Sequence, residues 1–110
     1  MWKAYQKEKY NREVIENDDG FINYVKYDDG SVYINILYVK KESRNKGTGK
    51  ELERKLIEKE KPTLIFCDID MESIGWELAL IQIVTQAHYK YESTVGKRIV
   101  LYKEISNGIK

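Results

Sequence analysis

A basic, glycine-containing loop is the first part of this chain whose residue types and spacing could support chemistry. It reads Arg44-Asn45-Lys46-Gly47-Thr48-Gly49-Lys50 and lies between an extended segment and a helical one. Its two glycines allow a sharp turn and let another molecule approach the backbone closely. The first amides of the helix that follows have no partner within the helix, and the helix dipole adds partial positive charge there. Together with the cations of the loop, they favour an anionic group, typically a phosphate.

Two carboxylates form the second candidate group. Asp68 and Asp70 follow an apolar run at residues 64–67, at the carboxyl end of a predicted strand, where ligands of α/β units usually bind. They could orient or deprotonate an amine, although carboxylates at such positions are more often the polar end of a strand. We interpret Cys67, inside the apolar run, and His88, which follows an apolar helix, as packing residues.

The segments around the loop show the two periods of regular structure. Residues 34–39 alternate with a period of two, which is typical of a strand. The alternation predicts one face with Ile34, Ile36 and Tyr38 and an opposite face with Asn35, Leu37 and Val39. After the loop, Leu52, Leu56 and Ile57 form an apolar stripe among charged residues, which predicts an amphipathic helix.

Turn signals and apolar runs predict the other strands. Two Asp-Asp-Gly sequences, at 18–20 and 28–30, separate extended segments and predict an antiparallel meander. Its strands cover residues 12–17, 21–27 and 31–41. The apolar run at 64–67 predicts a strand parallel to the last meander strand, joined to it by the helix.

The two ends of the chain are less regular. Residues 1–10 could be a strand or a short helix, and Asn107 begins a terminal segment that we expect to be loose. Ser73 is the predicted cap of a second helix, which its apolar residues predict to be largely buried. A short strand, a turn and a closing strand are expected at residues 88–92, 94–97 and 98–105.

Size and composition limit the function classes. A length of 110 residues suits one domain, residues 1–110, with a modest core. Lys and Arg total 19 and Asp and Glu total 18, a balance that gives no general attraction to nucleic acid or anionic lipid. No apolar run reaches membrane-spanning length, no secretory leader is recognisable, and the single cysteine cannot form an internal disulfide. We therefore expect a cytoplasmic protein, with no metal site.

The spacing within the loop separates it from two common phosphate-binding motifs. A Walker loop requires glycine at position 44 and Ser or Thr at position 51, which are Arg44 and Glu51 here. A dinucleotide fingerprint requires a third glycine where Leu52 lies. The loop instead matches Arg-x-x-Gly-x-Gly after a Leu-x-Val strand, through Leu37, Val39, Arg44, Gly47 and Gly49. This register resembles the acyl-coenzyme A loop of the GNAT superfamily of N-acetyltransferases.

The GNAT resemblance implies a fold, a co-substrate and a reaction. The implied fold is α+β (α/β): a mixed, mostly antiparallel sheet with a β-β-β-α-β-α-β core and a splayed central strand pair. In that family the pantetheine arm lies in the gap between the splayed strands, and the pyrophosphate lies on the loop amides. Acetyl-CoA would then contact Leu37, Tyr38, Val39, Arg44, Asn45, Lys46, Gly47, Thr48, Gly49 and Lys50. The implied reaction is direct acetyl transfer to a primary amine, without a covalent enzyme intermediate.

The acceptor side of the resemblance is less complete. Many members carry A-x-x-x-Y-x-x-x-G-F on the second helix, with the tyrosine as acid for the departing thiolate; aligning Ala79 with this pattern places Ile83 at the tyrosine. Tyr89 or Tyr91 could replace this tyrosine. The candidate catalytic residues are then Asp68, Asp70 and Tyr89. The acceptor groove could be lined by Tyr24, Tyr27, Tyr33 and Tyr38. The acceptor amine is not identified, and homodimerisation is left open.

Two other hypotheses remain. The missing tyrosine and a short N-terminal region also fit a catalytically inactive GNAT-like module that binds coenzyme A or another protein. An unrelated α+β binding module would require the loop match to be accidental.

Overall fold

The sheet is built around a parallel strand pair. The computed structural model describes residues 1–106, and the terminal segment that begins at Asn107, predicted to be loose, lies outside them. The elements, in chain order, are α1 (Trp2–Tyr10), β1 (Glu13–Asn17), β2 (Gly20–Lys26), β3 (Ser31–Val39), a 3₁₀ turn (Lys41–Ser43), α2 (Thr48–Glu60), β4 (Leu64–Asp70), α3 (Trp76–Thr85), β5 (Lys90–Val95) and β6 (Arg98–Glu104). The strand order is β1-β2-β3-β4-β6-β5, with β3 and β4 parallel and the other neighbours antiparallel. The predicted meander, parallel crossover and fold class are confirmed.

The hydrophobic core lies between the sheet and one face of α2. Leu52 and Leu56, about one helical turn apart, are both 0% exposed, as the amphipathic pattern predicted. They pack against a set of sheet residues that share this face: Ile22, Tyr24, Val32, Ile65, Ile69, Ile99 and Leu101. Tyr24 is therefore a core residue, and its hydroxyl donates to Oε2 of Glu60 at 2.6 Å. The prediction that Tyr24 lines an acceptor groove is wrong.

The N-terminal segment forms α1 on the opposite face of the sheet. The ring of Trp2 meets Phe21 edge-on, with centroids 4.8 Å apart. Asn23, which alternates with core residues of β2, donates from Nδ2 to Oε1 of Gln6 at 2.8 Å. These contacts hold α1 against β1 and β2. The part of the same face that β4 and β6 form lies beyond them.

β3 contains a β-bulge. The consecutive residues Asn23 and Tyr24 of β2 pair with Ile36 and Ile34, so Asn35 is an extra residue in β3. An extra residue shifts the side-chain alternation by one position and increases the local twist. The predicted uninterrupted alternation over residues 34–39 is therefore wrong.

The bulge changes which side chains of β3 share a face. Ile34 packs against the core on the α2 side. Beyond the bulge, Leu37 lies on that same side, because its Cδ2 is 3.7 Å from the position that a Cβ on Gly49 would take. Tyr38 lies on the other side, with its ring centroid 5.7 Å from that of Phe21. Ile34 and Tyr38, predicted to share a face, lie on opposite faces.

α3 is more exposed than predicted. Its N-cap is Gly75, with φ of 80°, and the predicted cap at Ser73 is wrong. Three inward side chains pack against the core, Trp76, Leu80 and Ile83. On the outer side, Leu78 is 61% and Ile81 57% exposed, because a short helix on a sheet buries only one side; the prediction of a largely buried helix is wrong. Its 10 residues are also too few to cross a membrane, and residues 1–106 contain no helix long and apolar enough to do so.

Candidate functional site

β3 and β4 are paired only where they begin. The described part of the chain shows three register pairs between them, and Tyr33 with Phe66 is the last. β3 then continues to Val39 and β4 to Asp70 without pairing with each other, so a gap opens between them near the middle of the sheet. Leu37, on a central strand, is 48% exposed as a result. Because central strands ordinarily satisfy their backbone groups on both edges, the gap leaves polar groups available to a ligand.

The gap-facing backbone groups of β3 belong to Leu37 and Val39. The amide of Lys40 donates to the carbonyl oxygen of Asp19 at 2.9 Å. In an antiparallel ladder such hydrogen-bonded pairs alternate with pairs whose N–H and C=O groups point away from the partner strand. Leu37 and Val39 therefore direct both groups into the gap, while the backbone of Tyr38 faces β2. Of the three predicted strand residues, two present their backbone to the gap.

Arg44 contacts the edge of β3 at the open end of the gap. Its Nε donates to the carbonyl oxygen of Val39 at 2.8 Å, and its guanidinium carbon lies 5.9 Å from the ring centroid of Tyr38. These contacts hold the loop against the end of the strand. The carbonyl oxygen of Val39 is therefore engaged, whereas the backbone N–H and C=O groups of Leu37 both face the gap.

The loop before α2 presents its amides to the mouth of the gap. Two residues with positive φ, Asn45 at 62° and Gly47 at 84°, turn the chain into the helix. The amide of Glu51 donates to the carbonyl oxygen of Gly47 at 3.0 Å, so the amides before it in the first turn lack an intrahelical acceptor. Among the described residues, a Cβ on Gly47 would meet no atom within 4 Å, and one on Gly49 would meet only Leu37. The amide surface is therefore open and adjoins the gap.

Two hydroxyl groups hold the loop in this shape. The hydroxyl of Ser43 donates to Oδ1 of Asp19 at 2.7 Å, which ties the loop to the turn before β2. The hydroxyl of Thr48 donates to the carbonyl oxygen of Ser43 at 3.2 Å and closes the loop across its base. The first turn of α2 is thus fixed relative to the end of β3.

The loop has an excess of positive charge near its open amides. Arg44, Lys46 and Lys50 are cations, and the carboxylate of Glu51 is paired with Arg54. A shallow cavity of about 360 Å³ lies beside α2: Gly47 and Lys50 line its end at the loop, and its lining along the helix also includes Glu51, Glu53, Arg54 and Glu58. Together with the helix dipole, this arrangement favours an anion at the N-terminus of α2.

The architecture that contains this gap and loop is similar to solved acetyltransferase structures. A GNAT-family protein from Desulfovibrio desulfuricans matches with a TM-score of 0.67 at 15% identity, over 84% of this chain and 65% of its own. An acetyltransferase of the GNAT family from Staphylococcus aureus gives 0.63 at 15% identity, over 94% and 87%. The PaiA N-acetyltransferase of Thermoplasma acidophilum, in complex with coenzyme A, gives 0.62 at 19% identity, over 94% and 68%. The chain has the GNAT fold.

The likeness is one of fold, at low sequence identity. No protein-family model matches the sequence, and no curated protein matches it. The chain spans slightly less than two thirds, 65%, of the Desulfovibrio protein. The predicted GNAT-like sheet with its splayed strand pair is confirmed.

On the face of the GNAT sheet opposite α2, the β4 side of the gap carries a polar cluster. The hydroxyl of Tyr33 donates to Oδ1 of Asp68 at 2.9 Å. Arg98 of β6 lies 3.4 Å from Oδ2 of Asp68 and 3.9 Å from Oδ2 of Asp70. Burial and the hydrogen bond to Asp68 raise the pKa of Tyr33 to about 12, so its hydroxyl remains a donor at neutral pH. The fold brings the two predicted carboxylates together with a tyrosine and an arginine.

Tyr89, the third predicted catalytic candidate, lies on the α2 side of the sheet. It is 5% exposed, and its hydroxyl donates to Oε2 of Glu53 at 2.8 Å. Lys103 donates to the other oxygen of Glu53 at 2.9 Å. Burial and the charge of Glu53 raise the pKa of Tyr89. Tyr91, the other tyrosine considered as an acid, is 60% exposed on β5 and shares a hydrogen bond with Thr94. The fold does not bring Tyr89 into the Asp68 cluster.

The described residues offer neither an activated thiol nor a metal cluster. Cys67 is partly buried on the α2-facing side of β4. Burial and the charges of Asp68 and Glu53 raise the pKa of this thiol to about 12, so thiolate is scarce at neutral pH. Within residues 1–106, no group of three or more His, Cys, Asp or Glu side chains is placed to hold a metal. His88 lies in the connection between α3 and β5, with φ of 65°.

The sequence pattern did not single out Arg98. This residue begins β6, directly opposite Asp70 in the antiparallel register. A charge directly before the apolar residues 99–101 was the available signal, because opposite charges often pair across strands. Its partner could not be identified without the order of strands in the sheet.

Proposed function

We propose that this chain is an acetyl-CoA-dependent N-acetyltransferase that transfers an acetyl group directly to a primary amine, with residues 1–110 acting as one acyltransferase domain. The observation that carries the proposal is the continuity between the gap beyond Tyr33 and Phe66 and the open amides at Gly47. An extended arm that ends in a phosphate fits such a gap and such a helix terminus. The coenzyme A complex of the Thermoplasma acidophilum N-acetyltransferase, which has the same fold, supports this choice of co-substrate.

In this proposal the loop from Arg44 to Lys50 holds the pyrophosphate. The open amides after Gly47 would donate to phosphate oxygens, and the helix dipole would favour their charge. Glycine at 47 and 49 leaves the room that the phosphates need, since a side chain would project into it. The other predicted loop contacts, Asn45, Lys46 and Thr48, would contribute backbone amides and the positive field.

The pantetheine arm would lie in the gap and extend the sheet. The N–H and C=O groups of Leu37 and the N–H of Val39 face that space, while the Val39 carbonyl oxygen accepts from Arg44. An amide-containing arm could pair with these groups of β3 as an added strand. Tyr38 would contribute its ring on the other face rather than its backbone. This placement brings the thioester toward the narrow end of the gap, near Tyr33.

The chain would accelerate transfer mainly by positioning. A direct attack of a neutral amine on the thioester carbonyl needs the two reactants aligned, a site for the oxyanion and a proton acceptor. The carboxylates of Asp68 and Asp70 border the gap and are the candidate acceptors. No step requires a nucleophile from the chain, which agrees with the raised pKa of Cys67.

A catalytically inactive coenzyme A-binding or protein-interaction module is the second candidate function. Two observations favour it: Ile83 occupies the helix position where the GNAT pattern has a tyrosine, and the proton of Tyr89 is engaged by Glu53. Neither group supplies an acid to the departing thiolate at its usual place. The two candidates share the coenzyme site and differ in turnover.

Two measurements separate these functions. Calorimetric titration with acetyl-CoA should give a saturable heat if the loop binds the co-substrate. A thiol-release assay over lysine peptides, free peptide N-termini, polyamines and small amines should then show turnover with at least one amine. Saturable binding without turnover would favour the inactive module, and the absence of any saturable heat would contradict a coenzyme site.

A further inference from the structure

The narrow end of the gap carries a carboxylate that is held from two sides. Tyr33 and Phe66 form the last pair between β3 and β4, and Asp68 lies two residues beyond Phe66 on the same face of β4. Tyr33 donates to one carboxylate oxygen of Asp68 at 2.9 Å, and Arg98 donates to the other at 3.4 Å. Donors from the two strands that flank β4 therefore fix the orientation of this carboxylate.

The two faces of the sheet differ in what covers the gap. On one face, α2 and α3 pack over Ile65 and the partly buried Cys67. On the other face, α1 contacts β1 and β2, and the side chains of Asp68 and Arg98 are 22% and 53% exposed. An acceptor that approaches from this more open face reaches Asp68 beside the narrow end of the gap.

We propose that Asp68 accepts the proton of the attacking amine and that Tyr33 and Arg98 position its carboxylate; this inference rests on the proposed acetyl transfer. The amine nitrogen forms a bond to the acetyl carbonyl carbon, and the carbon–sulfur bond breaks with its electron pair on sulfur. Asp68 takes one proton from the nitrogen and releases it to solvent. The thiolate takes one proton from solvent, so the products are an amide and a free thiol.

The other two candidates are placed less favourably for this step. Asp70 lies two residues further along β4, about 6–7 Å from Asp68 along the strand. Its Oδ1 accepts the amide proton of Glu72 at 2.9 Å in the turn that follows. Tyr89 lies on the α2 side, with its hydroxyl bonded to Glu53.

The groups that face Asp68 hold its carboxylate in one orientation. Tyr33 from β3 and Arg98 from β6 each bond to one of its oxygens, and Asp70 on the same strand also lies near Arg98. The neighbouring Cys67 points to the other face. Removing the Tyr33 hydroxyl removes one of these two bonds, so the carboxylate is held less firmly where the amine attacks. Positioning of this kind acts on turnover rather than on the binding of acetyl-CoA.

The test is the steady-state kinetics of acetyl transfer in Tyr33→Phe, which keeps the ring contact with Phe66 and removes the hydroxyl. We expect kcat to fall by about 10-fold, the equivalent of one lost hydrogen bond to a charged group, with KM for acetyl-CoA unchanged. Arg98→Gln should lower kcat in the same way, and Arg98→Lys should recover most of the wild-type kcat. Asp68→Asn should lower kcat by about 10²–10⁴-fold.

The matched control is Tyr102→Phe, which removes a hydroxyl opposite Phe66 on the neighbouring strand. Its kcat should equal that of the wild type. Wild-type kcat in either Tyr33→Phe or Asp68→Asn would overturn the assignment. A wild-type protein that binds acetyl-CoA and acetylates no amine would overturn the proposed transfer itself, so the wild-type assay distinguishes the two failures.

Discussion

Two glycine residues show how the candidate site depends on backbone conformation. Gly47 and Gly75 are the N-caps of α2 and α3, with φ of 84° and 80°. In the described structure, a Cβ on either would find no atom within 4 Å. A substitution therefore causes similar backbone strain at both, but only Gly47 borders the proposed pyrophosphate site. Comparing substitutions at the two positions therefore separates the effect of backbone strain from the effect on ligand binding.

We predict that Gly47→Glu abolishes saturable acetyl-CoA binding and that Gly75→Glu retains it. A carboxylate in front of the α2 amides would repel the pyrophosphate and occupy its place. Both variants should lose stability to a similar extent, about 1 kcal/mol, because a non-glycine residue must adopt positive φ. Calorimetric titration and urea unfolding measure the two effects. Wild-type affinity for acetyl-CoA in Gly47→Glu would show that the pyrophosphate does not bind at these amides.

The open amides of the loop before α2 could be predicted from the sequence because each feature of the loop is local. Gly47 and Gly49 follow a strand and open a helix, so their spacing alone indicates open amides. The cluster of Tyr33, Asp68 and Arg98 could not be predicted, since its members come from three strands whose order only the folded sheet defines. A site built from consecutive residues can be predicted from the sequence. A site whose residues come from different strands requires the strand order and the register.

Apolar periodicity predicted which helices and strands exist, and their order along the chain. It was less successful at predicting which of their side chains are buried and on which face each side chain lies. The stripe of α2 is buried as expected, but the apolar positions of α3 extend around more of the helix than one sheet contact can cover. The alternation in β3 failed at Asn35, because a bulge leaves no distinct mark in an apolar strand. Periodicity reports which residues are apolar, and packing decides which of them are covered.

Two leucines on different helices test this distinction with the same chemical change. Leu56 of α2 is 0% exposed and Leu78 of α3 is 61% exposed. We predict that Leu56→Ala lowers the free energy of unfolding by about 2–5 kcal/mol, through lost burial and a cavity. Leu78→Ala should change it by less than about 1 kcal/mol, because alanine is also a good helix former. Urea unfolding measures both values, and similar losses would contradict the exposed position of α3.

Across the molecule as described by residues 1–106, three buried or half-buried tyrosines connect separate elements through carboxylates. The hydrogen bonds run from Tyr24 to Glu60, from Tyr33 to Asp68 and from Tyr89 to Glu53. They join β2 to α2, β3 to β4, and the segment after α3 to α2. Burial, together with the neighbouring carboxylate, raises the pKa of each tyrosine. The folded chain therefore holds these protons at a pH where an unfolded chain releases them.

We predict that stability is lost as the pH rises above about 10, the ordinary pKa of tyrosine in an unfolded chain. A group whose pKa is raised by folding stabilises the fold fully below that value, and the contribution decreases as the pH rises toward the folded value. Urea unfolding between pH 8 and pH 11.5 should show this decrease. Tyr89→Phe should make the slope shallower by about 1.4 kcal/mol per pH unit, the equivalent of one proton. Tyr91→Phe, at an exposed position, should keep the wild-type slope, and an equal reduction in both variants would contradict the role of the buried hydroxyl.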